Sequence, residues 1–259
     1  MKSLWIMLGI VMAVATRTEA AIKTETVAYK HGDVALEGWL AYDDAATGKQ
    51  PGILVVHEWK GLGAHAKHSA EELAKMGYVA FAVDMYGTGI RPQTNQEAAV
   101  EAGKYKADRA LMRARINAGL SQLKSYPNVD ANRIAAIGYC FGGLTVLELA
   151  RSGANVAGVV SFHGGLDSPA PADGKNIKAK VLVLHGADDP FVPAADIAAF
   201  QNELRQAGVD WRMVYYGGAV HSFTNREAGA DNAKGAAYNE RADKLSWQAM
   251  AAFFEEIFR

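Results

Sequence analysis

The hexapeptide GYCFGG at residues 138–143 constrains the fold of this chain more than any other segment. The apolar run before it predicts a buried parallel strand, and the run after it predicts a helix. A strand that turns this sharply into a helix crowds the positions two before and two after the apex, and both are glycine here, Gly138 and Gly142. The turn therefore exposes the side chain of Cys140 above the sheet, at a helix N-terminus that favours a thiolate.

An exposed nucleophile at such a turn predicts an acid later in the chain and a histidine after the acid. Asp189 and His221 meet that order, and each follows a predicted strand. Cys140 and His221 can form a nucleophile–base pair, with Asp189 holding the imidazole in the useful tautomer. Asp188 competes for the acid role, but Asp189 directly precedes a Pro-Phe-Val-Pro segment of the form that this acid loop usually takes. The alternatives are a small buried cysteine and a core or surface histidine.

Strands and helices alternate along almost the whole chain, which predicts an α/β fold with a mostly parallel central sheet and helices on both faces. The predicted strands are 24–29, 34–42, 52–56, 78–83, 133–137, 156–162, 181–184 and 211–216. The predicted helices are 68–75, 95–126 with a break near Gly103, 144–150, 194–206 and 233–258, the last with Leu245, Ala249, Phe253 and Ile257 on one apolar face. Such sheets bind ligands at the carboxyl ends of their strands, where the sequence places Glu58, Tyr86, Cys140, Asp189 and His221.

Composition limits the classes of function that the chain can have. Half of its 259 residues are hydrophobic, and its formal net charge is −1. This predicts one large core and a single domain over residues 21–259. The near-neutral charge gives no support for binding nucleic acid or an anionic membrane. The oligomeric state stays open.

Residues 1–20 have the pattern of a secretory signal peptide. The start is basic at Lys2, a short apolar run covers 4–15, and the small residue Ala20 precedes the expected cut. The apolar run is short for a transmembrane helix, and a short membrane anchor is the alternative. We therefore expect an exported protein, periplasmic or secreted, with no stable membrane anchor once the signal is removed. A free thiol in an oxidising compartment indicates either deep burial of Cys140 or a use for it.

Five motifs follow one another in the chain: Val56-His57-Glu58-Trp59, Asp84-Met85-Tyr86-Gly87, Gly138-Tyr139-Cys140-Phe141-Gly142-Gly143, Asp189-Pro190-Phe191-Val192-Pro193 and His221-Ser222-Phe223. Together they resemble the dienelactone hydrolase family of α/β-hydrolases, over most of the chain beyond the signal. The resemblance implies the α/β-hydrolase fold and a catalytic triad of Cys140, Asp189 and His221.

The same resemblance implies roles for three residues around the triad. Glu58 would be a carboxylate in contact with the thiol, and a hydrogen bond from Glu58 to the loop backbone is the alternative. The backbone N–H groups of Trp59 and Phe141 would form the oxyanion hole, which stabilises the negative oxygen of a tetrahedral intermediate.

The chain departs from the family pattern at two arginines that hold a substrate carboxylate there. After the Asp-Met-Tyr segment, Gly-Thr-Gly intervenes before the nearest candidate, Arg91. After the His-Ser-Phe segment, Asn225 takes the matching place and Arg226 is one residue further on. Arg91, Arg226 and Tyr86 are the candidate substrate-binding residues, with solvated surface charges as the alternative for the arginines. The departure argues against dienelactone itself as the substrate.

The sequence thus predicts a cysteine-dependent hydrolase of small carboxylic esters or lactones that acts through a thioester acyl-enzyme. No metal or organic cofactor is expected, because no His/Cys ligand cluster appears and His57-Glu58 lacks the second histidine of a zinc motif. One alternative is a non-catalytic ligand-binding protein on the same fold, which has no need of an intact triad. The other is a redox-reactive thiol protein, for which a resolving cysteine is missing.

Overall fold

The sheet begins with an antiparallel hairpin whose turn requires a glycine. In the computed structural model, which describes residues 21–259, strands β1 (Ile22–His31) and β2 (Val34–Asp43) pair along their full length. Gly32 in the turn has a φ of +58°, a conformation that L side chains rarely adopt. The predicted signal peptide, residues 1–20, lies outside the described residues.

Six further strands complete a sheet that is parallel over most of its width. They are β3 (Gln50–Val56), β4 (Val79–Val83), β5 (Val129–Tyr139), β6 (Gly158–Phe162), β7 (Lys180–Gly186) and β8 (Trp211–Tyr216). The strand order is β1-β2-β4-β3-β5-β6-β7-β8, with antiparallel pairing only among β1, β2 and β4. The predicted mostly parallel sheet is confirmed.

Helices cover both faces of this sheet. They are α1 (Ala64–Lys75), α2 (Asn95–Ala107), α3 (Arg109–Lys124), α4 (Phe141–Arg151), α5 (Ala194–Ala207) and α6 (Glu240–Ile257), with 3₁₀ turns at Pro171–Asn176, Arg226–Ala228 and Asn232–Lys234. Alternate side chains of β3 enter opposite cores: Leu54 joins the one beneath α3 and α4, and Val55 the one beneath α1 and α6. Within the described residues, no helix has the length and apolar character that a bilayer crossing requires.

The long helical region breaks at Asp108 and not near Gly103, so that detail of the sequence prediction is wrong. Helix α2 ends at Ala107, and the side chain of Asp108 accepts the backbone N–H of Leu111 at 2.9 Å as the N-cap of α3. Gly103 lies inside α2, where a Cβ would meet no other atom. An aspartate cap ends one helix and starts the next more effectively than a single tolerated glycine.

The last helix begins later than predicted, and a different face of it is buried. Its N-cap is Asn239, whose side chain accepts the N–H of Ala242 at 3.1 Å. Leu245 is 42% exposed, and the buried residues are Ala242, Ser246, Met250, Phe253 and Phe254. The buried stripe is therefore displaced from the predicted one, and only Phe253 belongs to both.

Candidate active site

Cys140 occupies the turn between β5 and α4 in a backbone conformation that few side chains adopt. Its φ is +54° and its ψ is −112°. A Cβ on Gly138 would collide with the carbonyl oxygen of Gly142, and a Cβ on Gly142 would collide with that of Val56. The elbow forms only because both positions lack a side chain. It leaves Cys140 beside the first turn of α4, at the positive end of the helix dipole.

The ring of His221 is held by a carboxylate from the loop after β7. Nδ1 of His221 lies 2.8 Å from Oδ2 of Asp189, whose Oδ1 accepts the backbone N–H of Phe191 at 2.9 Å. The neighbouring Asp188 is exposed and accepts the backbone N–H of Gly218 at 3.0 Å. Of the two aspartates, the structure brings Asp189 to the imidazole.

The backbone of His221 is fixed on both sides. Its N–H donates to the carbonyl of Gly235 at 3.1 Å, and its own carbonyl accepts the N–H of Ala237 at 3.0 Å. The next residue, Ser222, has a φ of +56°. We call residues 217–239, between β8 and α6, the base loop. A short bridge within the base loop therefore sets where the imidazole lies.

Cys140 and His221 are coupled electrostatically. Burial opposes a positive charge on the His221 ring, but the charge of Cys140 and the hydrogen bond with Asp189 outweigh it. Together they raise the pKa of His221 to about 10. A positive ring beside a cysteine favours the thiolate form of that cysteine.

The backbone N–H groups of Trp59 and Phe141 have no acceptor among the hydrogen bonds of residues 21–259. Phe141 is the first residue of α4, where N–H groups lack an intrahelical partner. Trp59 follows the end of β3, which lies directly against the elbow at Gly142. Free donors at this place suit an oxygen that gains negative charge.

Tyr86 holds the Trp59 peptide in position. Its hydroxyl donates to the carbonyl of Trp59 at 2.8 Å. Burial, together with the charge of Cys140, raises the pKa of Tyr86, so the hydroxyl keeps its proton. Tyr86, which follows β4, thus holds the loop after β3 that carries the free N–H of Trp59. Substrate binding by Tyr86 stays a prediction.

The carboxylate of Glu58 is bound by the base loop. Ser222 donates to its Oε1 at 3.2 Å, Asn225 donates to its Oε2 at 2.5 Å, and Nδ1 of His65 lies 3.7 Å from Oε2. Burial favours the neutral acid, but His65 and the hydrogen bond from Asn225 stabilise the charge and lower the pKa of Glu58 to about 2. None of the hydrogen bonds among residues 21–259 joins Glu58 to Cys140, and the expected contact with the thiol stays a prediction.

Arg91 is engaged by the loops that follow β3 and β4. Its Nε donates to the carbonyl of Leu62 at 3.1 Å, and its Nη1 donates to the carbonyls of Gly87 and Ile90 at 3.2 and 2.8 Å. The same nitrogen lies 3.5 Å from buried Asp84. Arg91 thus ties two site-bearing loops together, and its role in binding a substrate carboxylate stays a prediction.

Arg226 lies on a cavity of about 500 Å³ between α1, α6 and the base loop, whose lining also includes Tyr139, Phe162 and Trp247. Its guanidinium sits 5.2 Å from the ring centre of Tyr238. A smaller cavity of about 370 Å³ is lined by Glu58, Trp59 and Ser222 among others. Neither lining includes Cys140 or His221. Each cavity is bordered by a residue next to one of these two in sequence, Tyr139 in the larger cavity and Ser222 in the smaller.

Three residues near the triad were not predicted as site residues. His163 follows β6, is fully buried, and has its ring centre 5.2 Å from that of His221. Phe191 is 58% exposed, with its ring 5.5 Å from that of His221. His57 accepts the N–H of Met85 at 3.2 Å, and burial lowers its pKa to about 4. Their position in the chain is the sequence feature that could have identified them, since all three lie at or beyond strand ends.

Across residues 21–259, no group of three or more His, Cys, Asp or Glu side chains could hold a metal ion. The described site offers a thiol, an imidazole, carboxylates and backbone N–H groups.

A mostly parallel eight-stranded sheet, with a nucleophile elbow after a central strand and a histidine loop before the last helix, defines an α/β-hydrolase. The model of the dienelactone hydrolase family matches residues 36–258. The chain belongs to the dienelactone hydrolase family, and it is accordingly a hydrolase of the lactone and ester type.

Known proteins resemble the chain over nearly its whole length. The structure named m3DLH is 42% identical with a TM-score of 0.89, covering 92% of this chain and 99% of its own. A dienelactone hydrolase-like promiscuous phosphotriesterase from metagenomic libraries is 40% identical with a TM-score of 0.87 and the same coverage. A putative carboxymethylenebutenolidase from Synechocystis is 28% identical, covering 90% of this chain and 97% of its own.

Proposed function

We propose that this protein hydrolyses small carboxylic esters or lactones through a thioester on Cys140. The observation that carries the proposal is the joint placement of Cys140 at the elbow and His221 in contact with Asp189, 2.8 Å away. A non-catalytic binding protein has no need of that set, and a redox thiol has no second cysteine to resolve it.

The first half-reaction would transfer the acyl group to sulfur. The thiolate of Cys140 attacks the carbonyl carbon, a C–S bond forms, and the carbonyl electron pair moves onto oxygen. The N–H groups of Trp59 and Phe141 stabilise that oxyanion. As the carbonyl re-forms, the C–O bond to the leaving alcohol breaks, and His221 gives its proton to the departing oxygen. In a lactone, the leaving oxygen stays attached to the acyl group.

The second half-reaction would release the acid. His221, now neutral, takes a proton from water as the water attacks the thioester carbon. The same N–H groups stabilise the second oxyanion. The C–S bond then breaks, the carboxylic acid leaves, and the thiolate–imidazolium pair is restored. Asp189 keeps the ring in the tautomer that presents Nε2 to the reacting atoms at each step.

The deciding experiment compares the wild type with Cys140→Ala on a panel of activated esters and lactones. We expect Cys140→Ala to remove nearly all turnover while retaining the fold, because the elbow tolerates a small side chain. A mass increase equal to the acyl group, trapped on wild-type protein and absent from the variant, would identify the thioester. Wild-type turnover by Cys140→Ala would end this proposal.

A second candidate activity is the cleavage of phosphotriesters, supported by the 40% identity to a promiscuous phosphotriesterase over 92% of this chain. The thiolate would attack phosphorus, forming an S–P bond and releasing the best leaving group. Diethyl p-nitrophenyl phosphate is a suitable probe. A burst of p-nitrophenol equal to the enzyme concentration, lost in Cys140→Ala, would support this activity, and release that is equal in both proteins would exclude it.

We also propose that the protein is exported, on the pattern of residues 1–20. N-terminal sequencing of exported protein should find a start near Ala21. Soluble, active protein that still begins with Met1 would contradict export.

A further inference from the structure

His163 is fully buried between the elbow and the base loop, and both of its ring nitrogens are bonded. The backbone N–H of Cys140 is shared between the carbonyl of Phe162 at 3.0 Å and Nδ1 of His163 at 3.2 Å, and Nε2 of His163 lies 2.8 Å from Oγ1 of Thr224. Because Nδ1 accepts an N–H, it carries the lone pair, and the proton of the neutral ring is on Nε2. Nε2 therefore donates to the Thr224 hydroxyl, three residues beyond His221.

The backbone of His163 is strained, and its side chain is held by several neighbours. Its φ is +39°, one of three positive values among non-glycine residues 21–259. Such conformations persist where surrounding contacts over-determine them. Here the ring packs edge-on against His221 at 5.2 Å and Phe223 at 5.1 Å. These contacts and the two hydrogen bonds fix the ring in all directions.

We infer that His163 is a positioning residue that sets the separation between the thiol of Cys140 and the imidazole of His221. One end of its ring holds the peptide of the nucleophile, and the other end holds the base loop through Thr224. The two reacting groups come from different loops, and among the described residues His163 bonds directly to both loops. This inference rests on the proposed function.

The neutral state of His163 is part of this role. The titratable groups that face it are His221, Glu58 and His65, and burial together with the charge of His221 lowers the pKa of His163 well below the usual value. A proton on Nδ1 would break the bond from the Cys140 N–H and place a second cation beside His221. The site therefore holds one imidazolium, on the ring that has Asp189 as its partner.

The test uses three substitutions that remove different parts of this link. His163→Phe keeps a buried ring but removes both hydrogen bonds. Thr224→Val removes only the acceptor at the base loop. His163→Asn tolerates a positive φ and keeps an acceptor close to the place of Nδ1, so it is the conservative variant that should restore part of the loss.

We expect kcat of His163→Phe to fall on the order of 10²-fold with little change in KM, since misplacement by about 1 Å costs that much. Its Cys140 alkylation by iodoacetamide should reach half-maximum about one pH unit higher, so the rate on the acidic side falls about tenfold. Thr224→Val should change kcat and the alkylation profile in the same direction, but by a smaller amount than His163→Phe. His163→Asn should lie between His163→Phe and the wild type.

His185→Gln is the matched control, because His185 is also a buried histidine at a strand end but packs against Tyr215 at 5.6 Å. Its alkylation profile should match the wild type. Wild-type kcat and alkylation in both His163→Phe and Thr224→Val would overturn the inference. If His163→Phe does not fold, Thr224→Val and His163→Asn decide by the same criterion. Alkylation needs no ester turnover, so it separates failure of this inference from failure of the proposed function.

Discussion

Asp189 and His221 meet across two loops 32 positions apart, with 2.8 Å between Oδ2 of the carboxylate and Nδ1 of the ring. If this contact orients the base, Asp189→Asn should lower kcat roughly 10²–10⁴-fold, because the amide favours the wrong tautomer. Steady-state ester hydrolysis measures the effect. Asp188→Asn is the adjacent control and should leave kcat within a few-fold. A larger loss of kcat in Asp188→Asn than in Asp189→Asn would assign the acid role to Asp188.

The raised pKa of His221 keeps a positive charge beside Cys140 across the neutral pH range, and such a charge favours a reactive thiolate. The imidazolium should persist to about pH 10, so wild-type Cys140 should react with iodoacetamide from mildly acidic pH upward. His221→Gln should move the half-maximum towards the ordinary thiol value of about 8.5. Because the folded pKa lies above the unfolded value of about 6.5, the ion pair stabilises the fold fully below that pH and loses its contribution as pH rises through about 10. Alkylation curves that coincide for the wild type and His221→Gln would refute a charge interaction between His221 and Cys140.

Glu58 provides a test of how a nearby carboxylate affects the thiol. Glu58→Gln removes the charge and keeps one of the two oxygens that accept from Ser222 and Asn225. A like charge disfavours a second anion, so the variant should be alkylated at Cys140 faster than the wild type near about pH 5, on the acidic side of the reference His value. It should also be inactivated more readily by peroxide. Superimposable profiles would show that Glu58 acts only on the base loop.

Gly142→Ala should prevent the elbow from forming. Its Cβ would meet the backbone of Val56 and His57, which cannot move without displacing the end of β3. We expect a loss of unfolding free energy of about 1–3 kcal/mol or more, with loss of hydrolysis. Gly103→Ala in α2 is the control, because a Cβ there meets nothing within 4 Å. It should be neutral or stabilising by roughly 0.5–1 kcal/mol. Equal denaturation midpoints for the two variants would contradict the steric argument.

The helix behind the nucleophile depends on a buried ion cluster. The Arg151 guanidinium donates to both oxygens of Glu203 at 2.8 Å and to Glu148 at 3.0 Å, with all three side chains buried. Arg151→Met leaves Glu203 without a cationic partner and leaves Glu148 with Arg113 alone, so unfolding in urea should show a loss of about 3–5 kcal/mol. Lys244→Ala, which breaks an exposed pair with Glu240, should change the midpoint little. A small effect in Arg151→Met would mean that water or Arg113 replaces the lost partner.

The sequence predicted the sheet well because strand periodicity and strand-end motifs are local signals. It was less reliable where two local signals compete. Gly103 is a poorer helix former than its neighbours, but the cap of Asp108 decided the break between α2 and α3. In α6, the start set by Asn239 and the packing of Met250 against the sheet turned Leu245 outward. Neither the helix break nor the buried face of α6 can be predicted from one short stretch of sequence alone.

The candidate site was predicted in part for the same reason. Cys140, Asp189 and His221 follow strands and belong to recognisable motifs. The partners of Glu58 and the two bonds of His163 depend on how the base loop folds back over the strand ends, and that loop has little regular structure. The hydrogen bonds of Arg91 could not be predicted from the sequence for the same reason, because its acceptors are loop carbonyls that no side-chain pattern reveals.

In the part of the chain from residue 21 onward, the three non-glycine residues with positive φ are Cys140, His163 and Ser222, and each belongs to the elbow or to a loop around it. Positions of this kind hold about 1–3 kcal/mol of strain each. Random mutagenesis selected only for heat resistance should therefore favour glycine or asparagine at 163 and 222, since both residues relax a positive φ. The same clones should turn over ester more slowly. At these two positions, a gain in heat resistance is therefore expected to come with a loss of catalytic rate. The hairpin turn already has a glycine, Gly32, at its positive φ, so no such gain is expected there.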